Sequence, residues 1–189
     1  MRTGPVRVMF IQFCDTATSM YDWKEKLAAG KEGAARVMAL VANRPETVSI
    51  KDVQDDPPYQ PKGIDFLWER KRWDGTKETV AVEVKWDSYT TRNIALETVS
   101  VVEREAPGCF LTSVADVWIY CFKGYSWSFM IPLARAREWF LAHRQQYRTR
   151  VTSSRATGRA EWHTEFALVP IEDLLRSVPG VIDLPMPPT

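Results

Sequence analysis

Residues 63–86 read GIDFLWERKRWDGTKETVAVEVKW, two apolar-rich arms on either side of a polar connection, WDG, at residues 73–75. In the second arm, large apolar residues alternate with smaller or charged ones, a pattern typical of a β-strand. Its three valines and Trp86 share one face, and Glu83 and Lys85 lie on the other. The stretch therefore predicts a β-hairpin with one apolar face.

The turn fixes how the two arms pair. A three-residue loop with Gly75 in the left-handed region is a common hairpin connection. The register that follows sets apolar residues opposite each other: Ile64 with Val84, Phe66 with Val82, and Trp68 with Val80.

The same register places two acids together. Asp65 lies directly opposite Glu83, and Lys85 is two positions along on that face. Like charges directly opposite each other destabilise a sheet, whereas a divalent cation held by both carboxylates reverses the sign of the interaction. The pattern thus indicates a metal site, with a plain ion pair between the lysine and the acids as the structural alternative.

Length and composition limit the class of protein. The 189 residues, 45% hydrophobic and 26% charged, suit one globular domain. A net charge of +1 argues against a strongly basic nucleic-acid coat but leaves room for a local basic groove.

Three widely spaced cysteines, Cys14, Cys109 and Cys121, form no C-x-x-C pair. They are typical of reduced thiols in a cytoplasmic protein. No stretch approaches the ~18 apolar residues of a membrane span, so we expect no membrane association. Only two histidines occur, and chemistry built on a Ser-His-Asp relay has little support.

Hydrophobic patterns elsewhere predict an α/β chain forming one compact layer system. Gly30 and Gly33 indicate a break or a close approach in the first helix. The predicted elements are a strand or an extended arm at 6–14, a helix at 22–43, a loop at 55–61, a helix starting between 88 and 93 and running to 105, strands at 114–122 and 126–131, a helix at 133–148, a polar loop at 149–159, a strand at 162–169 and a helix at 171–177.

Asp65 followed by Glu83-Val84-Lys85 resembles the PD-(D/E)xK motif of restriction-endonuclease-like nucleases. Residues 83–87, 93–97 and 115–120 are also similar to segments of small phage-encoded proteins of this type. The resemblance covers roughly residues 20–131 and so implies a core of that extent, followed by a helix and strand extension at 132–178 and a proline-rich tail at 179–189. It implies a restriction-endonuclease-like core, in which helices flank a central mixed β-sheet.

The resemblance also implies an activity, that of a metal-dependent nuclease that hydrolyses DNA, at chain ends or internally, in the cytoplasm of a bacterial or phage-infected host cell. Asp65, Glu83 and the backbone carbonyl of Val84 would hold Mg²⁺, for which Mn²⁺ can substitute. Such an ion polarises the phosphate and lowers the pKa of bound water. Lys85 would position the attacking water or help to deprotonate it.

Members of the family often add a glutamate from the first helix. Glu32 is the best match, inside the sequence GKEG at residues 30–33. Many relatives carry the acid just after the second glycine, where this chain has Ala34. The alternative for Glu32 is an exposed helix residue paired with Lys31 or Arg36.

Three further polar residues are supporting candidates. Asn93 and Glu97 would share one face of a helix, where they could meet the phosphate or a second metal, or simply form a solvated surface. Asp87 could extend the metal shell or mark the end of the strand. Asp116, by contrast, precedes a buried strand and is expected to cap or orient it.

Arginines crowd the chain after residue 132, and arginine–phosphate contacts give affinity that does not depend on sequence. A charged surface offset by neighbouring glutamates is the alternative. The candidates for nucleic-acid binding are Arg135, Arg144, Arg148, Arg150 and Arg155, with Arg137 and Arg159 in the same region. Trp73, beside the hairpin turn, is expected to be exposed, whereas Trp68 and Trp86 fit the apolar core.

Two other functions stay open at this point. The same fold could serve as a non-catalytic module that binds DNA or protein, because Ala34 and Ile64 depart from the family pattern. An RNA-directed nuclease is equally compatible with the sequence. A homodimer is common among nucleases that cut both strands, but no feature of the sequence decides it.

Overall fold

The computed structural model describes residues 23–87, 91–122, 126–154 and 161–186. The predicted strand at 6–14 lies outside them. The helices are α1 (Trp23–Ala42), α2 (Cys109–Thr112), α3 (Leu133–His143) and α4 (Ile171–Ser177). The strands are β1 (Thr47–Asp52), β2 (Phe66–Lys71), β3 (Lys77–Asp87), β4 (Asn93–Val101), β5 (Ala106–Pro107), β6 (Val117–Phe122), β7 (Trp127–Pro132), β8 (Thr149–Ser154), β9 (Trp162–Pro170) and β10 (Ile182–Pro185).

The strands form two sheets. The larger has the order β1-β2-β3-β6-β7-β10, and only its β3–β6 pair is parallel. The smaller, β5-β4-β9-β8, is antiparallel throughout. The predicted α/β class with a mixed central sheet and flanking helices is confirmed at this level, and the second sheet was not predicted.

The predicted hairpin register is confirmed between β2 and β3. Phe66 pairs with Val82 and Trp68 with Val80, and the ladder continues to Lys71 and Lys77. The loop at 73–75 contains Gly75 at φ 82°, the left-handed conformation that a glycine adopts without steric cost.

The predicted backbone pairs Ile64–Val84 and Asp65–Glu83 are wrong, because the ladder ends at Phe66–Val82. A 3₁₀ turn at Gln60–Lys62 ends on Gly63, whose φ is 69°, and this turn draws the chain away from β3. The Ile64 amide donates instead to the Tyr59 carbonyl at 3.4 Å. As a result Ile64 and Val84 pack on different hydrophobic clusters.

Helix α1 covers one face of the large sheet, packing Val37 and Val41 against Phe66 and Val82. The helix is unbroken, and Gly33 provides the close approach that its position suggested. A Cβ there would lie 2.7 Å from the Trp86 ring. Within the described ranges no helix is both long and apolar enough to cross a membrane.

The other face of the large sheet carries the main hydrophobic core, which includes residues of β4, β9 and the three later helices. The alternation of β6 separates the two sides, because Trp118 and Tyr120 belong to this core while Ile119 and Cys121 belong to the α1 side. Both faces of the large sheet are therefore covered.

Three predictions about the rest of the chain are wrong. The segment predicted as a helix up to residue 105 is strand β4, because Ile94–Thr98 are all buried and pairing with β9 overrides any helical pattern. Residues 149–154 form β8 at the edge of the small sheet, not a polar loop. Residues 182–185 of the predicted tail form β10, which pairs with β7.

The remaining elements follow the predictions closely. Strands β6, β7 and β9 lie where their apolar runs indicated, and α4 has the predicted bounds. Helix α3 ends at His143, and a 3₁₀ turn, Arg144–Gln146, follows it.

Candidate metal site

Asp65 immediately precedes β2, at the point where the pairing between β2 and β3 ends. Its backbone amide donates to the Val82 carbonyl at 2.8 Å, and its carboxylate Oδ2 accepts a hydrogen bond of 2.6 Å from the Val84 amide. In a longer ladder the Val84 amide would donate to the Ile64 carbonyl. Here the Asp65 carboxylate accepts that hydrogen bond instead. This fixes the carboxylate at the edge of β3, beside Glu83.

The other oxygen of Asp65, Oδ1, accepts no hydrogen bond from any residue that the structure describes. Burial raises the pKa of Asp65 to about 7, even though the Val84 amide lowers it, and the charge of Glu83 adds to the increase. The charge of Asp52, at the end of β1, acts in the same direction. The local field therefore disfavours a second negative charge and favours a cation.

Glu83 lies on β3 with its side chain toward the main core, and only 6% of the residue is exposed. Its Oε1 accepts a hydrogen bond from Lys85 Nζ, and its Oε2 accepts one of 2.7 Å from the indole Nε1 of Trp118. The register of β3 against β6 sets Trp118 beside Glu83. Both carboxylate oxygens are thereby held in fixed directions.

Lys85 is buried beside Glu83 and lies over the Trp118 ring, with Nζ 4.9 Å from the ring centroid. Burial acts to lower the pKa of Lys85, but Cys109 and Glu83 oppose it and leave the pKa above its ordinary value. Burial also raises the pKa of the Cys109 thiol and keeps it protonated at neutral pH, so the contact that favours the charged form of Lys85 is its hydrogen bond to Glu83. Lys85 is consequently a cation, suited to orienting water or balancing charge rather than accepting a proton.

The backbone of Val84 points toward the same place. In an extended strand the N–H and C=O of one residue face the same edge, and the Val84 N–H faces Asp65. The Val84 carbonyl therefore faces the side of β3 from which β2 has departed.

These donors fit a hard divalent cation. Carboxylate and carbonyl oxygens are the ligands that Mg²⁺ prefers, and Mg²⁺ usually keeps several waters beside one or two carboxylates. A carboxylate has about four lone-pair sites, so the two hydrogen bonds on Glu83 leave capacity for a metal. Among the described residues no group of three or more acid, histidine or cysteine side chains is placed to hold one. The candidate ligands are Asp65, Glu83 and the Val84 carbonyl.

Glu32 is not brought together with these residues. It is an exposed residue of α1, and α1 packs on the face of the sheet opposite to the Glu83 and Lys85 side chains. Its neighbour Lys31 reaches Asp55 at 2.8 Å. A role for Glu32 in catalysis stays a prediction.

Asp87 lies on the same face of β3 as Glu83 and is 1% exposed. Its Oδ2 accepts a hydrogen bond of 2.6 Å from the Tyr120 hydroxyl. Burial, with the charge of Asp87, raises the pKa of Tyr120 well above its ordinary value. The Tyr120 oxygen in turn accepts the Ala95 amide at 3.2 Å. These contacts link β3 through β6 to the small sheet.

Asn93 and Glu97 lie on strand β4, so the predicted helical face is wrong. Glu97 is 1% exposed, and its Oε1 accepts hydrogen bonds from the Ser100 hydroxyl at 2.6 Å and the Cys109 amide at 3.1 Å. Glu97 therefore anchors the start of α2. Asn93 is partly buried and lines a cleft of about 400 Å³ together with Tyr147 and Arg148.

The arginine candidates divide by their contacts. Arg135 donates to the Pro179 carbonyl at 3.1 Å, and Arg144 pairs with Glu165 at 3.3 Å. Arg137 is only partly exposed and donates to the carbonyls of Phe110 and Ser113. Its role is therefore to hold α2. The exposed residues Arg148 and Arg150 flank the start of β8, while Arg155 and Arg159 lie outside the described residues.

Two residues beside Glu83 were not identified from the sequence. Trp118 holds one of its oxygens, and the only sequence signal was its position in a buried strand. At Gly63 a Cβ would lie 3.2 Å from the Glu83 carboxylate, and φ is 69°. The expected orienting role of Asp116 is confirmed, because its Oδ2 accepts the Ala81 amide at 2.7 Å.

A scan against protein-family models and searches of curated proteins and of solved structures found no match to this chain.

Proposed function

We propose that the protein is a Mg²⁺-dependent nuclease that hydrolyses phosphodiester bonds in DNA, with Asp65, Glu83 and Lys85 at its active site. The observation that carries the proposal is the Asp65 carboxylate. It is fixed by Val84 beside Glu83, at a pKa of about 7, with one oxygen free of hydrogen bonds from the described residues. Two acids held together at a strand edge gain stability from a shared cation.

The metal would be held by Asp65, Glu83 and the Val84 carbonyl, with Mn²⁺ as a substitute. Bound there, it would supply charge neutralisation at the phosphate and a lower pKa for the attacking water. Trp118 fixes the direction of Glu83, and Val84 fixes that of Asp65. Lys85, protonated and held by Glu83, would orient the water and balance the charge that develops on the phosphate oxygens.

A second function is favoured by the burial of the pair Glu83–Lys85. The two residues are 6% and 4% exposed and satisfy each other, as a purely structural ion pair does. On this reading the fold is a non-catalytic module that binds DNA or protein.

The test is cleavage of a labelled panel that contains linear duplex, single strand, flap, four-way junction and RNA, with Mg²⁺, Mn²⁺ or EDTA. We expect metal-dependent cutting that is abolished in Glu83→Ala and in Lys85→Ala. Asp183→Asn, an exposed change on β10, is the control that keeps activity. Binding without cutting of any substrate would favour the non-catalytic module, and cutting of RNA alone would favour an RNA-directed nuclease.

The oligomeric state belongs to the same test. A homodimer would cut both strands of a duplex in one encounter, whereas a monomer would accumulate nicked circles before linear product. Following the nicked intermediate of a supercoiled plasmid over time separates these outcomes.

A further inference from the structure

Trp73 is the most exposed large hydrophobic residue among the described part of the chain. Its side chain projects from the tip of the β2–β3 hairpin with 98% exposure, and the next most exposed such residue, Leu141, reaches 59%. Burial of a tryptophan side chain is strongly favourable, and an indole that stays in water does not gain that free energy. An isolated, fully exposed indole at a hairpin tip therefore points to a partner that covers it.

The loop holding Trp73 is internally braced. Asp74 Oδ1 accepts hydrogen bonds from the Thr76 amide at 2.9 Å and the Thr76 hydroxyl at 2.6 Å. The Arg72 amide donates to the Thr76 carbonyl at 2.8 Å, and Gly75 takes the left-handed conformation. The turn that carries the Trp73 ring is already ordered. Binding of a partner there therefore costs little conformational entropy of the loop.

The charge around the tip identifies the kind of partner. Between residues 71 and 77 the chain has three cations and one anion. Arg72 pairs with Glu78 and Lys77 with Glu69, whereas Lys71 is exposed and makes no ion pair with any described residue. An aromatic face beside a free cation matches a nucleobase beside its phosphate, since bases stack on aromatic rings and phosphates bind lysine.

We propose that Trp73 stacks on an unpaired nucleobase while Lys71 contacts the adjoining phosphate. The choice of a nucleic acid rests on the proposed nuclease function, because the same hairpin carries Asp65 and Glu83 at its other end. Eight residue steps separate Asp65 from Trp73, at most about 26 Å at ~3.3 Å per residue. That length corresponds to at most about eight base pairs of B-form duplex. The inferred substrate is a duplex that adjoins a single-stranded segment, with the scissile bond within about eight base pairs of the unpaired base.

Binding can be measured without cleavage. Fluorescence anisotropy in EDTA would compare a blunt duplex, the same duplex with a single-stranded overhang, and the overhang strand as DNA and as RNA. We expect Trp73→Ala to weaken binding of the overhang substrates by about 5- to 150-fold, the range for stacking of one base on an aromatic side chain. Blunt-duplex affinity should change less than twofold, Trp73→Phe should retain most of the preference, and Lys71→Ala should reduce the salt dependence.

Leu141→Ala, the next most exposed large hydrophobic residue and located on α3, is the matched control and should leave all affinities unchanged. Trp73→Ala without a selective loss on overhangs, or wild-type protein that binds no nucleic acid, would overturn the stacking role. Trp73-dependent binding to anionic phospholipid vesicles in place of nucleic acid would also overturn it. If overhang binding depends on Trp73 but no metal-dependent cutting occurs, the stacking role is retained and the nuclease function is refuted. If metal-dependent cutting occurs and Trp73→Ala changes neither cutting nor binding, the nuclease function is retained and the stacking role is refuted.

Discussion

The indole of Trp118 donates a hydrogen bond of 2.7 Å to Glu83 across the parallel pair of strands β3 and β6. The same ring lies under Lys85. One side chain thus orients both members of the buried ion pair. A carboxylate held in this way loses little freedom when it binds a cation.

Trp118→Phe removes the indole N–H and keeps an aromatic ring. We expect a loss of about 1–3 kcal/mol in the free energy of unfolding, because a buried acceptor loses its donor. We also expect Mg²⁺ affinity or cleavage rate to fall about 10- to 100-fold. Urea denaturation and metal titration measure the two effects.

Trp68→Phe is the matched control, because Trp68 is equally buried and donates to the Thr47 hydroxyl at 2.9 Å on the α1 side of the sheet. It should lose similar stability and keep its metal affinity. Equal losses of metal affinity in both variants would assign Trp118 a structural role only.

Asp65→Asn should stabilise the metal-free protein in a pH-dependent way. The pKa of Asp65 is about 7 in the folded protein and about 3.9 in an unfolded chain, so the folded state binds more protons between these values. The contribution of Asp65 to stability therefore falls as pH rises from about 4 to 7, by at most a few kcal/mol. In thermal unfolding with EDTA, the stability of the variant should match that of the wild type near pH 4 and exceed it at pH 8.

Added Mg²⁺ should raise the unfolding temperature of the wild type at pH 8 and leave that of Asp65→Asn nearly unchanged. Asp183→Asn, exposed on β10, should follow the wild type at every pH. An Asp65→Asn protein less stable than the wild type at pH 8 would contradict the electrostatic argument.

The hairpin and its acids could be predicted because their determinants are local. Alternation in residues 79–86 and the turn at Gly75 fix the register, and Asp65, Glu83 and Lys85 all lie within the hairpin at residues 63–86. The sequence pattern does not predict that Ile64 leaves the ladder. That departure depends on the 3₁₀ turn before Gly63, and no hydrophobic periodicity indicates such a turn.

Features that depend on distant pairing could not be predicted. Ile94–Thr98 are consecutively buried, so β4 lacks alternation, and its partner β9 lies far along the chain. Trp118 reaches Glu83 from 35 positions away, through a parallel register that neither strand encodes alone. Glu97 looked like a site residue because its anchoring contact with Cys109 was not visible in the sequence.

Lys85→Met should destabilise the protein by about 3–5 kcal/mol, because it leaves the buried Glu83 carboxylate without its cation. Glu83→Gln should also destabilise it, for the converse reason. The double variant should recover most of the loss, since an uncharged pair of similar volume needs no compensation. A double-mutant cycle in urea at neutral pH measures the coupling, and additive losses would show that the two charges do not depend on each other.

Gly33→Ala should destabilise the protein although alanine favours helices. The gain in helix propensity is about 1 kcal/mol, but the new Cβ would lie 2.7 Å from the Trp86 ring, and overpacking of this kind costs about 1–3 kcal/mol. Ala35→Gly, exposed on the same helix, should lose only the propensity term. Only the contact with Trp86 opposes the gain in helix propensity. If Gly33→Ala proved more stable than the wild type in urea denaturation, α1 would not pack closely against β3 at this point.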